Sequence, residues 1–205
     1  MSTSPLELDP IVIDKVCGDL ILDVGCGYGK WGFLVKKYFW STQDGEATRE
    51  PVVIGVDLFS SSLKRLRNHQ IYDALINADA TALPFKDKTF DTVFGMELIE
   101  HLPKQEGIGL LHELERVARR CVLISTPNYP DFRGGLEGVD GFNLHENHLS
   151  YWKPGELRAL GYRCYGVGMK LGPPPVRVLL KSLSYRIPWM ATHLLGVKRF
   201  ETTVG

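Results

Sequence analysis

From Asp23 onward the chain reads Asp-Val-Gly-Cys-Gly-Tyr-Gly-Lys-Trp-Gly. Glycines 25, 27 and 29, placed directly after an apolar run, let the backbone approach a ligand where a Cβ would clash. Gly27-x-Gly29-x-x-Gly32 also satisfies a dinucleotide pattern, so the glycines alone leave the ligand open. Three carboxylates narrow it. Asp23, two residues before the first glycine, would repel a pyrophosphate and suits an ammonium group. Asp57 closes the apolar run Val52–Val56, where it can accept hydrogen bonds from ribose hydroxyls. Asp79, in Asn77-Ala78-Asp79-Ala80, stands where a carboxylate can meet an adenine amino group. A cationic nucleoside carrying an amino acid fits this set better than a nicotinamide dinucleotide. For Asp57 and Asp79 the competing reading is a turn or capping carboxylate.

A second constellation is Glu97-Leu98-Ile99-Glu100-His101. Positions i, i+3 and i+4 share a face if this stretch is a helical turn, so Glu97, Glu100 and His101 would converge on one ion. Two carboxylates and an imidazole suit Mg²⁺, Mn²⁺, Fe²⁺ or Zn²⁺. His145 or His148, in Asn143-Leu144-His145-Glu146-Asn147-His148, would bring a further ligand from a long loop. The competing reading packs or caps with these residues and needs no metal. His101 and His148 are the candidates for base or ligand, with Glu97 and Glu100 supporting. Cys26 and Cys121 are poor nucleophiles, one lying in the glycine turn and one beginning a buried strand.

The elements that must position these groups alternate. Short apolar strands are expected at Leu20–Val24, Val52–Val56, Ala74–Asn77, Thr89–Gly95 and Cys121–Ser125. Helices are expected between them from about Lys30 to Phe39, Ser60 to Asn68 and Lys104 to Arg119. Near-continuous apolar strands separated by helices imply a parallel sheet covered on both faces. Thr126 to Trp152 reads as one long loop, which in a compact domain is usually functional. A short helix from Pro154 to Leu160 follows. Two late strands then come at Tyr162–Met169 and Leu194–Phe200, with the amphipathic stretch Val176–Tyr185 between them.

Composition bounds the class. The 205 residues support a single domain, 1–205, with 44% hydrophobic and 23% charged residues. That excludes a disordered or fibrous chain. Net charge is zero, yet Leu157–Phe200 holds eight Lys or Arg and no acid. That polarity fits either an anionic partner or a basic edge neutralising an acidic body. The four cysteines (17, 26, 121 and 164) form no CxxC. Their spacing argues against a zinc ribbon or disulfide framework and fits a reducing, cytoplasmic setting. No stretch reaches the ~18 apolar residues of a membrane span. The apolar, basic segment 171–200 is expected near the substrate side, as a pocket wall or a peripheral membrane contact.

Taken together, LDVGCGYGKWG, GVDLF, NADATALPFKDKTFDTVFGMELIEHLP and ISTPN, in that order, resemble the class I S-adenosylmethionine-dependent methyltransferases of type 11. The matching pieces run from Leu20 to Asn128. The resemblance implies an α/β, Rossmann-like fold: a seven-stranded, mostly parallel sheet with helices on both faces and an antiparallel last strand pair. It implies S-adenosylmethionine as cofactor. Asp23, Gly25, Gly27 and Gly29 would hold the methionine end, with Cys26 and Tyr28 in the same turn. Asp57 would bind the ribose, Leu58 would lie beside the adenine, Asp79 and Ala80 would contact it, and Met96 with Glu97 would line the pocket.

The ExxEH region is similar to that of ubiquinone-type phenolic O-methyltransferases. It is also similar to that of small-RNA 3′-terminal 2′-O-methyltransferases, in which a His lies four residues before a Trp. By that match His148 and Trp152 align, and the implied metal ligands are Glu97, Glu100, His101 and His148. The segment YPDFRGGLEGVDGF departs from the RNA enzymes. The acceptor classes left open are a small phenolic, quinone-like or lipid-linked molecule, an RNA 3′ end, or a glycan. A cofactor-binding domain without catalysis is the alternative of another kind.

Overall fold

The computed structural model describes residues 4–41, 50–130, 136–138, 141–170 and 183–201. After the short helix α1 (Asp9–Ile13) the chain alternates β1 (Leu20–Val24), α2 (Lys30–Ser41), β2 (Val52–Asp57), α3 (Ser60–Arg67), β3 (Ala74–Asn77) and β4 (Phe90–Met96). It continues through α4 (Lys104–Val117), β5 (Ala118–Pro127), the hairpin β6 (Leu136–Gly138) and β7 (Gly141–Asn143), α5 (Pro154–Ala159), β8 (Arg163–Val167) and β9 (His193–Arg199).

The main sheet runs β3-β2-β1-β4-β5-β9-β8. β1 to β5 pair in parallel, and β9 is antiparallel to both of its neighbours. The expected sheet and its late antiparallel pair are therefore present. β1 and β3 have the expected bounds; the other elements differ from the sequence expectation by one to three residues at one or both ends, most at β5. One correction concerns the stretch from Thr126 to Trp152. It is not one irregular loop: it carries the end of β5, the hairpin β6–β7 and a 3-10 turn at Leu144–Glu146. Most of the amphipathic stretch Val176–Tyr185, and 171–182 of the basic segment, lie outside the described residues.

Strand alternation sorts side chains onto two faces. Leu22 and Val24 of β1 join Val122 and Ile124 of β5 in a core completed by Leu110, Leu111 and Leu114 of α4 and by Trp152. Ile21, Cys121 and Leu123 point the other way, to Leu8 and Val12 of the N-terminal segment and Trp31 and Val35 of α2. Both faces are dry, so the strands read as near-continuous apolar runs. The strand order reverses between β1 and β4, and a crevice opens there at the carboxyl ends of the parallel strands.

Helix α4 offers a test of this packing. A Cβ on Gly107 would lie 2.7 Å from Trp152 Cζ2 and 3.2 Å from Ile99 Cγ1, whereas one on Gly109 meets nothing within 4 Å. Both substitutions to alanine gain the same helical propensity, about 1 kcal/mol. G109A is expected to stabilise, and G107A to fall about 1–3 kcal/mol below it through overpacking against the buried indole. Chemical denaturation of the pair measures that gap.

Candidate active site

The crevice is organised by the turn that joins β1 to α2. Gly25 and Gly27 have φ of +72° and +49°, backbone that L side chains rarely adopt. A Cβ on Gly25 would also come within 2.9 Å of Leu98. The turn folds over the end of β2: the amides of Gly25 and Cys26 both donate to the Val56 carbonyl, at 2.8 and 3.0 Å. Asp57 locks it. Its Oδ2 accepts from the Gly27 amide and its Oδ1 from the Phe59 amide, each at 2.8 Å. Burial raises the Asp57 pKa and these two amides oppose the rise.

Of the residues expected at the cofactor, Gly25, Gly27, Tyr28, Asp57, Leu58, Asp79, Ala80, Met96 and Glu97 line the crevice. Three do not. Gly29 turns inward, with Leu66 and Ile71 where its Cβ would be. Cys26 packs its thiol against Leu63 and Leu66, and burial raises its pKa. Asp23 is only 1% exposed and lies off the cavity wall, because alternation along β1 turns it to the same side as Ile21. Its Oδ2 accepts from the Tyr72 hydroxyl at 2.6 Å, and its Oδ1 is buried without a partner. Burial pushes Asp23 up to about 7; the Tyr72 hydroxyl opposes and the charge of Asp57 adds. Asp23 thus keeps one buried oxygen unpaired, and its role toward an ammonium group remains an expectation. Asp79 makes an Asx turn, its Oδ1 accepting from the Thr81 amide and hydroxyl at 2.8 and 2.7 Å.

The opposite wall comes from the end of β4. Glu97 is a non-glycine residue at φ +50°, and the helical turn begins only at Ile99. Glu97, Glu100 and His101 therefore do not share one face. Glu100, His101 and His148 do converge, each offering a ligand atom within 4.8 Å of the others. Glu97 is not part of that group. Its Oε2 lies 3.7 Å from His193 Nε2, at the start of β9. Burial drives Glu97 up to about 7 and His193 down to about 4. A buried carboxylate on left-handed backbone makes Glu97 a candidate functional residue.

His101 Nδ1 lies 3.1 Å from the Asn147 carbonyl oxygen. A carbonyl can only accept, so Nδ1 carries the proton and Nε2 keeps its lone pair. Burial holds His101 below the usual imidazole range. The His148 ring meets it edge-on, centroids 4.9 Å apart. The Leu149 and Ser150 amides donate to the Glu100 carbonyl at 2.8 and 3.0 Å, pinning the His148 loop to the turn. The Trp152 indole donates to the Ser150 hydroxyl at 2.9 Å and is otherwise core. Both Glu100 carboxylate oxygens are buried with no hydrogen-bond partner, and burial, with the charge of Glu97, raises its pKa far above the ordinary range. The Thr126 hydroxyl nearby opposes the shift without completing a bond of normal geometry. This donor set fits a divalent cation, which would satisfy the oxygens that the protein leaves unpaired. Asn143, His145 and Glu146 complete the crevice from above.

A family model described as a methyltransferase domain matches residues 21–120. The chain is 31% identical over 187 residues to the ubiquinone biosynthesis O-methyltransferase of Azoarcus sp., covering 82% of this chain and 72% of that one. It is 30% identical over 108 residues to methyltransferase GfsG of Streptomyces halstedii, covering 52% of this chain but spanning only 36% of that relative's length. The crystal structure of the PH0226 protein from Pyrococcus horikoshii superposes with a TM-score of 0.60 at 18% identity, covering 95% of this chain and 88% of that one.

The raised carboxylates predict how the ligand-free fold responds to pH. A carboxyl whose folded pKa lies above its unfolded value binds a proton in the fold first. Its contribution is complete below about pH 4 and is lost as pH rises through about 7. Asp23 alone is expected to tilt stability downward by up to about 1.4 kcal/mol per pH unit in that window. Urea midpoints across pH 4–8 should show this slope, reduced in Asp23→Asn.

Proposed function

The chain belongs to the class I S-adenosylmethionine-dependent methyltransferases of type 11, and we propose that it moves the sulfonium methyl to an oxygen of a small phenolic, quinone-like or lipid-linked acceptor. One observation carries this reading: the glycine crevice closed by Asp57 adjoins the group Glu100, His101 and His148. His101 lines the same cavity as the glycine turn, with Glu100 and His148 directly behind it, so a group able to activate a hydroxyl lies beside the proposed nucleoside site. The likeness to an O-methyltransferase over most of both chains supports oxygen as the accepting atom.

In this reading the Gly25 and Gly27 backbone faces the methionine end, Asp57 the ribose, and Leu58, Asp79 and Ala80 the adenine. S-adenosylmethionine, when bound, supplies a methyl that is already electrophilic. The protein's task is to hold the acceptor oxygen in line with it and exclude water, which is worth about 7–11 kcal/mol of barrier. Met96 and Glu97 wall the transfer end. His101, with Nε2 deprotonated, takes the acceptor proton, a contribution of about 10²–10⁴-fold. Were Glu100, His101 and His148 to hold a divalent cation instead, the His101 Nε2 lone pair would go to the metal, and the cation rather than His101 would lower the pKa of the acceptor hydroxyl. Leu183, Arg186 and Trp189 are exposed on one short segment, and Trp189 is 65% exposed. They support a peripheral contact with a lipid surface carrying the acceptor. No helix among the described residues is long and apolar enough to cross a membrane.

A second reading, metal-assisted 2′-O-methylation of an RNA 3′ end, draws on the same three ligands. The basic stretch gives it less support than its charge suggests, since Lys198 already pairs with Glu115 at 2.7 Å.

Methyl-labelled S-adenosylmethionine incubated with a cell extract separates the readings. Label is expected in the lipid-soluble pool. Label in RNA favours the second reading, and no label in any pool from folded protein contradicts methyl transfer. His148→Ala is expected to lower transfer by about 10² or more while cofactor affinity stays within a few-fold; an equal loss of both removes His148 from the chemistry. Transfer that survives metal-free dialysis and chelation removes the cation.

A further inference from the structure

Cys17 and Cys121 take no part in the crevice, yet they touch. Cys17 lies half-buried between α1 and β1, and Cys121 is fully buried on β5. Their sulfurs are 3.1 Å apart across 104 positions of sequence. Thr92 of β4 holds both: its hydroxyl donates to the Cys17 carbonyl at 2.7 Å, accepts from the Cys17 amide at 3.0 Å, and lies 3.4 Å from Cys121 Sγ. Arg199 of β9 places Nη1 3.7 Å from Cys17 Sγ, while its Nη2 donates to the Lys15 carbonyl at 3.1 Å. The hydrogen bond with Cys121 pulls Cys17 below the ordinary thiol range, and Thr92, Arg199 and Arg120 add to this against the effect of burial. The same contact and burial push Cys121 up. A partly accessible thiolate in contact with a buried thiol is the geometry of an attacking and a resolving cysteine.

We propose that Cys17 and Cys121 form a peroxide-reactive dithiol site that closes reversibly to an intrachain disulfide. The Cys17 thiolate attacks one peroxide oxygen; the O–O bond breaks, the leaving oxygen takes a proton from solvent, and Cys17 becomes a sulfenic acid. The Cys121 sulfur then attacks the Cys17 sulfur. The S–O bond breaks, and the departing hydroxide leaves as water with the Cys121 proton. Two thiols are oxidised and one peroxide is reduced. The product ties the segment that carries α1 to β5, in the core that also holds Trp31 and Phe94. The site stands independently of the methyl-transfer reading, because it requires no cofactor.

Hydrogen peroxide added to the reduced full chain tests this by intact mass and peptide mapping after alkylation. The expected result is loss of the mass of two hydrogens, joint protection of Cys17 and Cys121, and restoration of both by a phosphine. Cys26 and Cys164 stay alkylatable after unfolding. Cys17→Ser, a change at the more exposed partner, should abolish the mass loss. Cys121→Ser should stop at a Cys17 sulfenic acid that dimedone captures. Oxygen added to Cys17 with Cys121 still free, a crosslink between two chains, or two unreacted thiols under conditions that oxidise free cysteine would each overturn the proposal. The wild-type measurement stands even if a variant misfolds.

Discussion

One carboxylate sets the shape of the crevice. Asp57 stands at the end of β2 and accepts one backbone amide on each oxygen, Gly27 across the crevice and Phe59 at the start of α3. The Gly27 bond joins the glycine turn to the end of β2, and the Phe59 bond fixes the turn from β2 into α3. Without them two amides at the mouth of a buried cavity lose their partner, at a cost of about 1–3 kcal/mol each. The turn would then be held only from its first residues, by the Gly25 and Cys26 amides on the Val56 carbonyl. A carboxylate oxygen has lone pairs beyond the amide it accepts, so Asp57 can brace the turn and still face a ribose diol.

The buried charge around that turn has a direction. Asp23, Asp57, Glu97 and Glu100 lie at the same end of the sheet, and burial raises the pKa of all four. Asp57 and Glu97 line the cavity and the other two lie buried behind its wall, so carboxylates that are costly to ionise favour a cationic guest there, or a proton in its place. In the proposed reading the adenosyl sulfonium would satisfy this on the β1–β2 side. On the β4–β5 side Glu100 faces two imidazoles. In that reading the work is divided: one wall would hold the donor, and the other would handle the proton of the acceptor.

The strands were legible because both faces of the sheet are dry, so the central strands are mostly apolar runs with few polar interruptions. The glycine turn was legible for the same reason. What was not legible came from register or from rare backbone. Tyr72, bonded to Asp23, lies before β3, and His193 reaches Glu97 because β9 pairs antiparallel with β5 and sets His193 opposite Pro127. No local pattern announces either contact, nor the meeting of Cys17 with Cys121. Glu97 was expected in a helical turn, but its left-handed φ delays that turn to Ile99, and no glycine marks the place. Asp23 sits on the same face as Ile21 rather than with Leu22 and Val24, as strand alternation dictates.

The account depends on the crevice being a site for an adenosyl sulfur compound. Titration calorimetry of S-adenosylhomocysteine into the folded protein tests this directly, because it needs neither an acceptor nor a metal. Saturable uptake at one site per chain, weakened by Asp57→Ala in a variant that still unfolds cooperatively, is the result the account predicts. No heat of binding from a wild-type sample shown to be folded, for this compound and for S-adenosylmethionine alike, would contradict it.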